Sequence, residues 1–204
     1  MTGPAPGTVD ALLGDLLAAA VRVGDQPVLR GASRAPLGRV FLAVGRSTSL
    51  RVCIEQIRAV ASDESLTNPP PWFAVEVRML DALAATPPYQ RDVPMPWEGY
   101  RTDSEAVNFL LKSVEAAWDL AMTPRSGRRH ELGAIRCYKH LEAATYLFAL
   151  SRHDPGAELL RPPGEFHRQA FDEWAARRDP LFKACQQQFV RAFSATVRRV
   201  TAAR

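Results

Sequence analysis

Four histidines and three cysteines are the side chains here best suited to ligate a metal or act as nucleophiles. Their spacing argues against both roles. His130-Glu131-Leu132-Gly133-Ala134 opens like a zinc-protease helix, but the second histidine, one turn on, is missing, so the i,i+4 ligand pair is absent. None of His130, His140, His153 or His167 follows a glutamate by three residues, which removes the Glu-x-x-His signature of di-iron helical bundles. Cys53, Cys137 and Cys185 are odd in number, far apart and set in apolar-periodic stretches, and read as small buried thiols in a reducing compartment. Glu115 and Asp119 stand one turn apart and could share a metal or a proton; facing Lys112 and solvent is the simpler reading. His140 and Glu142, two residues apart, point to different helix faces. No phosphate-cradling Gly-x-x-x-x-Gly-Lys loop, Gly-x-Ser-x-Gly elbow or dinucleotide fingerprint occurs. The expectation is no catalytic residue, no metal and no cofactor. An enzyme would need a site assembled from scattered residues.

Positive charge is what the sequence does concentrate. Of 26 basic residues only Lys112, Lys139 and Lys183 are lysines. Codon usage accounts for such a ratio; so does the fit of a guanidinium fork to phosphate. Three windows collect the excess. Arg22, Arg30, Arg34, Arg39, Arg46, Arg51 and Arg58 are opposed only by Asp25 and Glu55. Arg125, Arg128, Arg129, Arg136 and Lys139 face Glu131 alone. From Leu181 onward come Lys183, Arg191, Arg198, Arg199 and Arg204, with no acid at all. At 100° per residue the last segment gathers Phe182, Cys185, Phe189, Phe193, Thr196 and Val200 in one arc. Lys183, Gln187, Arg191, Ser194 and Arg198 fall on a stripe across from it, long donors of the kind a phosphate backbone takes. A solvated face is the plainer explanation of such a stripe. Segregated charge nevertheless attracts polyanions where interspersed charge would not. The candidate nucleic-acid contacts are therefore Arg30, Arg34, Arg39, Arg46, Arg51, Arg58, Arg125, Arg128, Arg129, Lys183, Arg191, Arg198 and Arg199. Helix-turn-helix and basic-zipper patterns are absent, so the expected contact is to backbone and not to base edges.

The elements that must carry these residues are helices. The first starts at Thr8, a hydroxyl cap, and runs to Val23 with Leu12, Leu13, Leu16, Leu17 and Ala20 at helical spacing. Pro36 fits a first turn, followed by Leu37, Val40, Phe41 and Val44 on one face; the run from Val40 to Val44 also suits a short strand. Ser47 or Thr48 would recap a helix with Leu50, Cys53, Ile54, Ile57 and Val60. Trp72 to Leu83 reads as a helix, with its Phe73, Val75, Val77 alternation leaving a strand open. Thr102 to Glu105 reads as a capping box ahead of Val107, Leu110, Leu111, Val114, Trp118 and Ala121. A long helix is expected from about Arg129 to Ser151, another after Pro162-Pro163, and a last one from Asp179-Pro180 to about Thr201.

At 204 residues and net charge +4, with 47% hydrophobic and 24% charged residues, the chain is of ordinary globular composition and long enough for a core without disulfides. The expected fold is all-α, a bundle of seven or eight helices. The expected boundaries are a flexible tail over 1–7, an N-terminal helical half over 8–86, a Pro-rich loop over 87–101 and a C-terminal helical half over 102–204. The two halves form either one compact domain or two sub-bundles. No apolar run reaches the ~18 residues that span a bilayer, and the start does not resemble a signal peptide, so a cytosolic protein is expected. The basic last helix could lie on an anionic membrane, but its apolar face is better explained by core packing.

With Arg30, Arg34 and Arg39 near the front and Arg191, Arg198 and Arg199 at the end, this catalytically bare, Arg-rich helical chain resembles the small subunit of class 1 CRISPR effector complexes, with type IV the variant in view. That resemblance is of whole-chain architecture. It implies a non-enzymatic bundle in a ribonucleoprotein of antiviral or antiplasmid defence, offering basic surfaces to guide RNA or single-stranded target. Its partners would be nucleic acid and other protein subunits, copies of itself among the candidates. Trp72, Trp97, Tyr89 and Tyr100 would then serve subunit contacts, buried packing being the alternative. From a different class, a helical protein-interaction or small-ligand-binding module without a nucleic-acid role also fits the composition.

Overall fold

The computed structural model describes residues 6–23, 34–62, 104–122, 129–153 and 181–203. Five helices fill them: α1 (Pro6–Val23), α2 (Arg34–Ala61), α3 (Glu105–Met122), α4 (Arg129–His153) and α5 (Leu181–Ala202). The described residues contain no strand, so the chain is all-α there. The helix anticipated after Trp72, the Pro-rich loop and the helix after Pro163 lie outside the described residues.

Helix starts follow local chemistry, with two shifts from expectation. Pro6 occupies the first position of α1, where its missing N–H would have had no partner anyway, so the helix begins two residues before Thr8. At α3 the cap is Ser104. Its hydroxyl accepts from the Val107 N–H at 3.4 Å and its carbonyl from the Asn108 N–H at 3.0 Å. Glu105 is then the first helical residue, where its carboxylate suits the helix dipole, and not the third-position partner of a box begun at Thr102.

The Val40–Val44 run is helical. Leu37, Val40, Phe41 and Val44 are all buried, as a period of 3.6 requires and a period of 2 would not. The break comes two or three residues earlier than a cap at Ser47 or Thr48 would place it: α2 is two helical segments meeting at Gly45, whose φ of 78° and ψ of 167° are open essentially to glycine alone. Ser49 repairs the gap, its hydroxyl lying within donating distance of the Gly45 carbonyl (2.8 Å) and the Phe41 carbonyl (3.2 Å).

Helix α2 packs against each of the other four, α3 and α4 share the longest interface, and α5 bridges α1, α2 and α4. One continuous core results, drawn from both halves of the sequence. At its centre Phe193 of α5 meets Phe41 of α2 and Tyr138 of α4 edge to face, at centroid separations of 5.6 and 4.9 Å; Tyr138 also meets Phe189 at 5.0 Å. Such contacts add roughly 0.5–1.5 kcal/mol each beyond area burial. Gly133 sets the α3–α4 approach, since a Cβ there would stand 3.2 Å from the Leu120 Cβ. The Gly133 of the His130–Ala134 segment thus serves packing. No described helix is long and apolar enough to cross a membrane.

Candidate nucleic-acid interface

Charge divides unevenly over the bundle. Helices α1, α2 and α5, which pack on one another, carry ten basic and three acidic residues. Helices α3 and α4 carry five and five. The rest of the 204 residues hold fourteen acids against eleven bases.

On the basic side the last helix finds across the bundle the acids it lacks. Arg198 and Arg199 are neighbours in sequence but 100° apart on α5, and they turn to opposite sides. Arg198 donates through Nε to Asp10 of α1 at 2.7 Å, and Arg199 pairs with Glu55 of α2. Arg39 pairs with Asp15 at 3.4 Å. The Arg39 and Arg198 bridges are more than half exposed, where an ion pair contributes about 0.2–1 kcal/mol and its arginine stays open to exchange for another anion.

The expected contact residues fall into distinct groups. Arg39, Arg51, Arg58, Arg191, Arg198 and Arg199 are exposed on the α1–α2–α5 side. Arg46 is half-buried and directs its guanidinium to the Ala121 carbonyl in the last turn of α3, where a cation also meets the negative end of the helix dipole. Arg34 and Arg129 are the first residues of α2 and α4, and Lys183 lies in the first turn of α5. Arg30, Arg125 and Arg128 lie outside the described residues. The stripe on α5 is also narrower than its spacing suggests, because Ser194 is buried with its hydroxyl 2.8 Å from the Val190 carbonyl.

One grouping escapes a reading by windows. Glu55 lies four residues after Arg51 and three before Arg58, on one face of the straight second segment of α2. Arg199 pairs with it from α5, a third arginine beside the two that flank Glu55 by position on α2. Beneath them Gln56 Nε2 lies 2.6 Å from Thr196 Oγ1, both buried, fixing the register of α2 on α5.

On the opposite side one charge pair is turned inward. Lys139 Nζ stands 2.9 Å from Glu142 Oε2 with both side chains under 10% exposed, and Gln186 Nε2 approaches Glu142 Oε1 at 3.5 Å. Lys139 also lies 5.8 Å from the Tyr138 ring centre. Burial, and then the Glu142 charge, push the Tyr138 phenol well above its usual range. Asp119 is exposed and 3.9 Å from Arg136; partial burial raises its carboxyl, against the pull of that arginine. Lys112 lies over the Phe109 ring at 5.0 Å, and His140 packs on the same ring. The three cysteines are free and buried, as expected. Their separation in sequence hid one contact, that of the Cys53 and Cys137 thiols across α2 and α4. Burial first, and then that neighbour, raise the Cys137 thiol well above its usual range. Among the described residues no three His, Cys, Asp or Glu side chains converge as a metal site.

No protein-family model matches the chain, and comparison with curated proteins and with solved structures gives no match.

Proposed function

We propose that this chain is a non-catalytic helical subunit that binds single-stranded nucleic-acid backbone, independent of base sequence, within a ribonucleoprotein assembly of the kind CRISPR small subunits belong to. The supporting observation is the charge division: ten basic against three acidic residues on α1, α2 and α5, beside a balanced α3–α4 pair. A field of one sign over one side of a bundle speeds and orients the approach of a polyanion. Arginine is the residue that a phosphate fork favours, and every basic residue described as exposed on that side is an arginine.

The test is fluorescence anisotropy of a labelled single-stranded RNA with the full chain at several salt concentrations. Micromolar or tighter binding is expected, with log affinity falling linearly in log salt by about 0.7 per phosphate neutralised. Absence of binding at low salt would overturn the proposal and leave the arginines to codon usage and solubility.

A further inference from the structure

We infer that the cluster of Arg51, Arg58 and Arg199 about Glu55 is the principal phosphate seat of the basic face, and that Glu55 holds its affinity down. The inference rests on the nucleic-acid reading and names where on that face the strand lies. Elsewhere on the face Arg39 pairs with Asp15 and Arg198 with Asp10, and the exposed Arg191 has no second arginine within one turn of it. Among the described residues of this face, only Glu55 has two arginines within one turn of it on its own helix and a third paired to it from another helix. Arg51 and Arg58 are exposed, as is 68% of the Arg199 side chain, while Glu55 is only 27% exposed beneath them. The carboxylate therefore sits low, the cations stand proud of it, and an incoming anion meets positive charge first.

The ground around the cluster is set and open. The buried Gln56–Thr196 contact keeps α2 and α5 from sliding, so Arg199 stays level with Glu55. On α5 the residues one and two turns before Arg199 on its own face are Ala195 and Ala192, both exposed and too short to shield it. Arg51 and Arg58 are seven residues apart, about 10 Å along α2, enough for the pair to engage different phosphates of one strand. A guanidinium donates through two N–H groups to a phosphate in the same plane, which suits the backbone of either RNA or DNA. Glu55 has two opposed effects. It orients Arg199, and it adds a like charge close to each bound phosphate. Since Arg199 is already placed by the packing of α5, the repulsion prevails.

The experiment measures anisotropy of one labelled sequence, as single-stranded RNA and as single-stranded DNA, with the full chain and three variants whose folding is checked by circular dichroism. R51E/R58E is expected to weaken binding at least tenfold and to flatten the salt slope by about 1.4, the contribution of two phosphates. E55Q is expected to tighten binding several-fold, a change of sign that a merely structural role for Glu55 would not produce. R191E/R198E, elsewhere on α5, is expected to weaken binding less than R51E/R58E. Equal losses for the RNA and DNA strands support phosphate contact; a loss confined to RNA would overturn it. If the unaltered chain binds RNA but R51E/R58E binds equally well, or R191E/R198E loses more, the assignment of the seat falls while the nucleic-acid reading stands. If the unaltered chain binds neither strand at low salt, it is that reading which fails.

Discussion

The buried charge pair of α4 and the surface pairs of the α1–α2–α5 side set acid against base at different depths, and to opposite ends. On α4, Lys139 and Glu142 face each other inside the core, with Gln186 completing the set. On the other side, Asp10, Asp15 and Glu55 meet Arg198, Arg39 and Arg199 at the surface, and arginines remain in excess. Depth separates the two. A buried pair is screened little by solvent, and removing one partner strands a charge in a poor solvent; an exposed pair is close to break-even and readily exchanged. One arrangement fixes how helices meet, and the other offers charge to something outside.

The largest effect is expected from removing one partner of the buried pair. Lys139→Met is expected to destabilise the fold by about 3–5 kcal/mol, measured as a shift in urea midpoint, because Glu142 is left buried and unpaired. Adding Glu142→Leu should recover most of that loss, since the cost lies in the stranded charge and not in the missing pair. A single variant with no measurable effect would place the pair in contact with solvent.

The glycines sharpen the contrast through geometry, with a smaller effect. Gly133→Val is expected to cost about 1–3 kcal/mol by forcing α4 away from Leu120. Gly45→Ala has nothing within 4 Å to crowd, yet should cost about 1–3 kcal/mol because alanine rarely adopts its backbone angles. Side-chain bulk separates the two: Gly133→Ala is expected to cost less than Gly133→Val, because a lone Cβ crowds only the Leu120 Cβ and backbone, whereas at Gly45 alanine already meets the full backbone penalty.

The core also predicts an alkaline limb. Burial holds the Cys137 thiol and the Tyr138 phenol neutral to higher pH than in an unfolded chain, where they ionise near about 8.5 and about 10. Between those values and the raised ones the unfolded state holds fewer protons, so stability that is complete below about pH 8.5 falls as pH rises. Tyr138→Phe should flatten the later part of that fall in a series of denaturant midpoints. The least effect on stability is expected on the basic side. Asp15→Asn should change stability by under about 1 kcal/mol while increasing RNA affinity, separating the surface pairs from the buried one.

Much of this was legible in the residues themselves. The periodicity of Leu13, Leu16 and Ala20, of Leu110, Val114 and Trp118, and of Phe189, Phe193 and Val200 specifies helices and their inward faces, because a side chain's direction on a helix depends only on its place in the chain. Gly45 was less legible. Serine and threonine two and three residues later look like a cap, while the break comes from a backbone conformation that no side-chain pattern announces. The Lys139–Glu142 pair was missed, because a window that stops at Lys139 sets Glu131 alone against its bases. Its burial was not legible either, since that depends on what α5 lays over it.

Residue type and spacing alone specify helical class, the lack of a recognisable catalytic motif, and the amount of positive charge on each segment. Which of that charge is cancelled depends on how the helices pack. Asp10 and Arg198 are 188 positions apart, and Glu55 and Arg199 are 144. A count within windows treats each helix as isolated, whereas Coulomb interactions act through space, so the charge an outside partner meets depends on which helices the core brings side by side.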